Sequence, residues 1–579
     1  MMFVLALVAL FVGCQALAMQ HLLLAEVETR VRKPNFLFIF TDDQDLQMNS
    51  PAYMPQTQSR IKDEGIEFAN HFVTTSLCCP SRVSLWTGRQ AHNTNVTDVS
   101  PPYGGYPKFV SQGFNDNFLP VWLQSAGYNT FYTGKLFNAH SVFTYNAPFV
   151  NGFNGSDFLL DPFTYSYWNS TYQRNHEAPR SYQGQYTTDV MKEKALGLLD
   201  DALASDSPFF VTVAPIAPHS NIDLDGVGDG ASPQMTEPLP APRHADLFPD
   251  VKVPRTPNFN PLVKSGASWV QTLELQNQTV IDYQDHVYRQ RLRALQAVDE
   301  MVDALITRLE DSDQFDNTYI IYSADNGYHL GQHRLPPGKT TGYEEDIRVP
   351  FYIRGPGIPK GQKVDRVTTH IDIAPTLFEL AQIPLRKDFD GTPMPVPSDQ
   401  ETKSILHEHV TVEFWGHTLF EGKYSNIGFE GTSKIPNNTY KSARILSKEY
   451  NLYYSVWCGN DHEFYDLSTD PYQMDNLYAK RDSVMMLGRS LQYVIDRVDA
   501  LLLVLKSCQG NTCIEPWKVL HPDGSVASLK EALDPQFDVF YTIQTKVEFT
   551  ACEAGYIIAS EGPQVGLEYR DGLSWDAWT

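Results

Sequence analysis

Basic side chains are in short supply in this chain: 45 lysines and arginines stand against 69 aspartates and glutamates, a formal charge of -24. That deficit opposes attraction to nucleic acid or anionic lipid, which depends on basic patches and counterion release. Long apolar runs are missing as well. Beyond the first residues nothing approaches the ~20 apolar residues that a bilayer span needs, and the run from Ala500 to Leu505 is short enough to be core. Cysteine is sparse, with seven in 579 residues, so a disulfide mini-protein is excluded. No internal repeat is visible. With 42% hydrophobic and 20% charged residues and a mean hydropathy of -0.32, neither a disordered chain nor a multi-span membrane protein fits. The length favours two domains of unequal size.

The apolar stretch from Phe3 to Val12, followed by Ala16-Leu17-Ala18, has the form of a secretory signal peptide cleaved after residue 18. A basic leading segment is absent, so a buried helix, a short anchor or lipid attachment at Cys14 remain alternatives. Sequons at Asn95, Asn154, Asn169, Asn277 and Asn437 suit a secreted glycoprotein. A lysosomal or vacuolar destination is the alternative to the extracellular or periplasmic space. Cys458, Cys508, Cys513 and Cys552 all lie in the last quarter; in an oxidising compartment they form two disulfides with three possible pairings, of which Cys508 with Cys513 closes the shortest loop.

Asn35 to Phe40 is a continuous apolar run, as expected of a strand buried in a parallel sheet. Similar runs recur at Asn129 to Tyr132, Phe209 to Ala214 and Tyr319 to Tyr322. The clearest helical period runs from Val287 to Glu310, with Leu292, Leu295, Val298, Val302, Leu305, Ile306 and Leu309 on one face. Alternating strands and helices predict an α/β domain built on a large, mostly parallel sheet flanked by helices, over residues 34–400. A Pro-rich stretch from Ile383 to Ser398 marks the boundary. Residues 401–579 are expected to form a smaller α+β domain with an antiparallel sheet around Lys441 to Trp457 and an extended tail.

In such sheets ligands bind beyond the carboxyl ends of the strands. There the sequence places Asp42-Asp43, Gly134-Lys135, Pro218-His219 and Asp325-Asn326-Gly327. Taken singly, each has an ordinary explanation in turn or capping chemistry. Taken together, Asp42, Asp43, Asp325 and Asn326 supply hard oxygen ligands that suit Ca²⁺ or Mg²⁺ rather than zinc. Other tempting features fail. Asp223 to Gly230 lacks the ligand pattern of a calcium loop, and His407-Glu408-His409 lacks the spacing of zinc hydrolases. His329 and His333 sit among glycine and prolines, which reads as a loop that contacts substrate.

The segment Cys78-Cys79-Pro80-Ser81-Arg82, followed by Thr87-Gly88-Arg89, resembles the signature of the sulfatase family, in which the first cysteine is converted to formylglycine. Cys78 takes that position, and Pro80 fits the first turn of a helix whose N-terminus would face an anion. The resemblance covers nearly the whole mature chain. It implies an alkaline-phosphatase-like fold, a cation held by Asp42, Asp43, Cys78, Asp325 and Asn326 (Ca²⁺, with Mg²⁺ as the alternative), and catalytic roles for Cys78, Arg82, Lys135, His219 and Lys339. Spacing alone does not connect Lys339 to the site. Gly338-Lys339, Arg348-Val349-Pro350 and Glu463 to Leu467 also fit the family, and Val412 to Gly416 points to its fungal and algal arylsulfatase branch. The glucosamine-6-sulfatase branch is the other near pattern. One departure concerns Phe137, which stands where many members have a histidine; His140 is the substitute the sequence offers.

The implied chemistry is coherent. Hydrated formylglycine carries two hydroxyls on one carbon, one to attack sulfur and one to expel sulfate, whereas a thiol adduct would have no easy way to collapse. Lys135 and Lys339 balance sulfate charge, Arg82 fixes the modified residue, and His219 protonates the leaving oxygen. The expectation is a secreted arylsulfatase acting on small aryl sulfates and matured by a formylglycine-generating enzyme. Glucosamine-6-sulfate hydrolysis in glycosaminoglycans, phosphoester hydrolysis on the same fold and a non-catalytic glycoprotein are the competing readings.

Overall fold

The computed structural model describes residues 32–224, 234–396, 407–424 and 434–570. The expected signal peptide, the 400/401 boundary and residues 225–230 of the acidic loop lie outside them. Ten strands build the main sheet: β1 (Asn35–Thr41), β2 (Ile66–Phe72), β3 (Asn129–Gly134), β4 (Gly155–Leu159), β5 (Thr171–Arg174), β6 (Arg180–Ser181), β7 (Phe209–Ala214), β8 (Thr318–Ala324), β9 (Phe351–Arg354) and β10 (Gln362–Thr369). Their order is β10-β2-β9-β8-β1-β7-β3-β4-β5-β6. The central five, β8 to β4, run parallel, while β9, β5 and β6 add antiparallel pairings toward the edges.

Alternation along β1 explains why the sheet is covered on both sides. Phe36, Phe38 and Phe40 enter one core with Trp86 of α1 (Cys78–Thr87). Leu37 and Ile39 enter the other, with Leu198 of α2 (Thr187–Leu203) and Leu295, Val298 and Leu305 of α3 (Gln278–Asp311). The helix expected from Val287 thus starts nine residues earlier, because Asn277 caps it by accepting from the Val280 amide at 3.2 Å. Its first two turns carry too few apolar residues for periodicity to register.

The smaller sheet is antiparallel throughout, in the order β11 (His409–Phe414), β12 (Tyr440–Leu446), β13 (Asn451–Trp457), β14 (His462–Asp466). One face packs on α4 (Leu491–Leu505), which contains the Ala500 to Leu505 run. The other face, with Val412, Phe414 and Tyr440, closes on Phe72, Ile347 and Val349 of the large domain. Cys508 pairs with Cys513 as expected, and Cys458 with Cys552 ties β13 to the tail. Among the described residues no helix is long and apolar enough to cross a membrane.

Candidate active site

Strand register assembles the site. Thr41 pairs with Ala324 and Gly134 with Ala214, so β1, β8, β3 and β7 end level. The next residues, Asp42, Asp325, Lys135 and the segment leading to His219, therefore emerge along one rim. Asp43 adopts a left-handed backbone (φ 62°), which an aspartate tolerates better than most residues; its amide donates to Asp325 Oδ1 at 2.9 Å. Helix α1 delivers Cys78 at its first residue, with the Sγ 3.6 Å from Asp42 Oδ1 and 3.9 Å from Asp43 Oδ1.

Every buried carboxylate here meets a buried cation. Lys135 Nζ donates to Asp42 Oδ2 at 2.6 Å. Lys339 Nζ reaches both oxygens of Asp43 at 2.6 Å, and Arg82 Nε donates to Asp325 Oδ2 at 2.8 Å. Arg82 also binds the Lys135 carbonyl at 2.6 Å, which locks α1 to the end of β3. Burial opposes charge on Asp325, yet Arg82 and Lys135 hold its carboxyl well below the usual range. Burial likewise opposes charge on Asp43, and Lys339 overcomes it and lowers that carboxyl. Asp42 moves the other way, because burial and then repulsion from Asp325 outweigh Lys135. Burial raises the Cys78 thiol well above its ordinary value, so the unmodified side chain is a neutral thiol and a poor nucleophile.

His219 stacks on Tyr165 with ring centroids 4.0 Å apart. Its Nδ1 donates to the Ser220 carbonyl at 2.7 Å, leaving Nε2 facing the cluster, 3.6 Å from Asp43 Oδ2. That hydrogen bond fixes the tautomer, so Nε2 carries a proton only in the imidazolium.

The donor set fits a hard divalent cation. Asp42, Asp43, Cys78 and His219 present ligand atoms within 4.8 Å of one another. Asn326 donates its amide to Asp43 Oδ1 at 2.8 Å, while its own Oδ1 is buried with no hydrogen-bond partner. The paired carboxylates of Asp42 and Asp43 in this cluster suit a divalent cation.

Three further histidines singled out in the sequence are buried. His140 packs against the rings of Tyr106 and Phe158, at 4.6 and 5.3 Å, with burial pushing its imidazole down to about 3; no hydrogen bond or ring contact joins it to Cys78 or the acids. Phe137 belongs to the same aromatic core, 4.5 Å from Phe109. His329 and His333 are buried and hydrogen-bonded within the fold. His329 Nδ1 pairs with Asp346 at 2.8 Å, and His333 bonds Ser265 at 2.8 Å.

Three residues were not legible as site residues: Tyr165, Arg291 and Glu421. Lys135 Nζ lies 4.9 Å from the Tyr165 ring centroid. Arg291 bonds the Asp43 and Pro218 carbonyls, at 2.5 and 3.2 Å, and so ties the acid pair to the His219 loop. The available signal was a charged residue inside the apolar stripe of α3. Glu421 offered no signal at all.

A carboxylate cluster paired with buried cations at the strand ends of an α/β sheet, beside a cysteine at a helix N-terminus, lies where such sheets bind their ligands. The chain belongs to the sulfatase family, which it matches over residues 34–383, and its activity class is sulfuric ester hydrolysis. Residues 331–498 match a C-terminal region described for N-sulphoglucosamine sulphohydrolase. The arylsulfatase of Volvox carteri is 39% identical over 547 residues, 90% of this chain and 82% of the alga's. The human N-acetylglucosamine-6-sulfatase is 31% identical over 85% of this chain and 87% of its own. In fold, the chain is similar to BT4656, solved with its substrate D-glucosamine-2-N,6-O-disulfate, at a TM-score of 0.58 and 22% identity over 78% of this chain and 94% of that one.

Proposed function

We propose that the protein is a secreted arylsulfatase that releases inorganic sulfate from phenol sulfates, with Cys78 converted to formylglycine as the nucleophile and calcium as the resident cation. The observation that carries this reading is the Cys78 Sγ at the N-terminus of α1, 3.6 and 3.9 Å from two buried carboxylates that are themselves paired with lysines. Once converted, Cys78 supplies a hydroxyl to attack sulfur and a second to release the sulfate. Asp42, Asp43, Asp325 and Asn326 would hold the cation, which when bound polarises the ester and favours deprotonation of the nucleophile. Lys135 and Lys339 balance charge on the sulfate oxygens. Arg82, locked between Asp325 and the Lys135 carbonyl, keeps the start of α1 in place.

His219 is the acid in this reading, because the Ser220 carbonyl holds Nδ1–H and directs Nε2 at the site. Replacing it with alanine is expected to slow alkyl sulfates by ~10² to 10⁴ while nitrophenyl sulfate, whose leaving phenolate needs little protonation, loses far less. Equal losses across a leaving-group series would remove His219 from that role.

For substrate class, the net charge of -24 disfavours long polysulfated chains at neutral pH and leaves a small monoanion able to approach. The higher identity to the algal arylsulfatase than to the glucosamine-6-sulfatase supports the same choice. Comparing kcat/KM for nitrophenyl sulfate and a 6-sulfated glucosamine disaccharide over a range of pH and salt tests it: nitrophenyl sulfate is expected to be the better substrate, and a disaccharide preferred throughout transfers the assignment to the glycan. Secretion belongs to the same proposal. Asn154, Asn277 and Asn437 are exposed and available for glycosylation.

A further inference from the structure

Glu421 is a buried carboxylate to which the chemistry above gives no task; its residue is 1% exposed. Its Oε2 accepts from the Ser220 hydroxyl at 2.5 Å and from the Tyr328 hydroxyl at 2.8 Å. Its Oε1 has no hydrogen-bond partner and lies 3.6 Å from Lys339 Nζ. A buried carboxylate oxygen without a donor is unfavourable unless a charge compensates it, and here the compensating charge is the Lys339 ammonium.

The backbone delivers the two groups together. The Glu421 amide donates to the Pro337 carbonyl at 2.8 Å, and Phe420 bridges Gly338. The hydroxyls of Thr418 and Thr340 meet at 2.9 Å, and Asn438 donates to the Thr340 carbonyl at 3.0 Å. Residues 337–340 are thus stitched to 418–421, a segment that follows the first strand of the smaller sheet. The two donors on Oε2 fix the carboxylate plane, and the Arg291 guanidinium, 4.0 Å from the Tyr328 ring centroid, holds one of them.

Lys339 now leans on Asp43, one of the acids assigned to the cation. An ammonium and a dication compete for the same two oxygens, and among the described residues the other carboxylate in ion-pair distance of Lys339 Nζ is Glu421. We propose that Glu421 is the positioning residue for Lys339, holding the ammonium beside the sulfate subsite when Asp43 is otherwise engaged. The smaller domain would in this way complete the active site of the larger one. This inference rests on the assignment of Lys339 to sulfate recognition.

A double-mutant cycle on the full-length protein, made in a host with the modifying enzyme, tests it. The variants are Glu421→Gln, Lys339→Ala and the pair; the readouts are kcat and KM on nitrophenyl sulfate and the Kd of inorganic sulfate by calorimetry. Glu421→Gln is expected to lower kcat/KM roughly 10- to 100-fold and weaken sulfate binding about tenfold, and to cost less than about twofold once Lys339 is alanine. Equal losses in both backgrounds, or no loss in either, overturn the proposal. Should Glu421→Gln fail to fold, Tyr328→Phe removes one Oε2 donor and keeps the charge; a smaller loss with the same dependence on Lys339 is expected, and an additive loss overturns the idea. A wild-type protein that hydrolyses no sulfate ester would sink the functional reading, while the cycle read in sulfate Kd would still decide the role of Glu421.

Discussion

Cys78→Ala is expected to reduce sulfate ester turnover by at least ~10⁴-fold, the scale of losing a covalent nucleophile, while the protein stays folded. The side chain removed is one sulfur at the start of α1, and deleting a single buried heavy atom costs only about 1 to 2 kcal/mol. Helix α1 keeps its other anchors, including Arg82 to Asp325 at 2.8 Å and the Ser81 hydroxyl to the Asp325 carbonyl at 2.5 Å. Peptide mass spectrometry of active wild-type protein should find the aldehyde at residue 78 and an intact thiol at Cys79, which is wholly buried and whose thiol burial pushes up to about 12. Full activity with both cysteines unmodified would end the nucleophile assignment.

Loss of the cation is expected to be the second large effect. Asp325→Ala is a poor way to see it, because it leaves the Arg82 guanidinium buried without its closest partner, and breaking such a pair costs about 3 to 5 kcal/mol of stability. Asp325→Asn keeps the shape and one oxygen while removing the charge. We expect it to lower calcium occupancy and reduce the rate on the order of 10³-fold, since a dication's stabilisation of developing charge is several kcal/mol. Dialysis against a chelator should abolish activity, and calcium should restore it better than magnesium. Undiminished hydrolysis by protein shown by elemental analysis to be metal-free would dismiss the cation.

The central strands were legible because strands covered on both faces leave an unbroken apolar record, as in Phe36 to Phe40. The acid pairs were legible because they directly follow such strands. Lys339 was reached only through the family resemblance, since it meets Asp43 from a loop whose course depends on pairing with residues 418–421, and no local pattern encodes a long-range bridge. Glu421 was invisible for the same reason. His140, the substitute that the sequence offered at the histidine position, has its ring in an aromatic pocket with Tyr106 and Phe158, an orientation that proximity to Lys135 in sequence does not reveal.

The burial of Cys78 also has a bearing on time. In the folded chain this residue is 2% exposed, covered by Asp42 and Asp43, which are themselves paired with Lys135 and Lys339. If Cys78 is converted as proposed, an enzyme that must grip the peptide around it would find it covered in the folded chain, so conversion would have to precede the docking of Asp42 and Asp43 against the start of α1. Chains that fold before they are converted would stay unconverted for good, and the active fraction of any preparation would then record a race won or lost during synthesis.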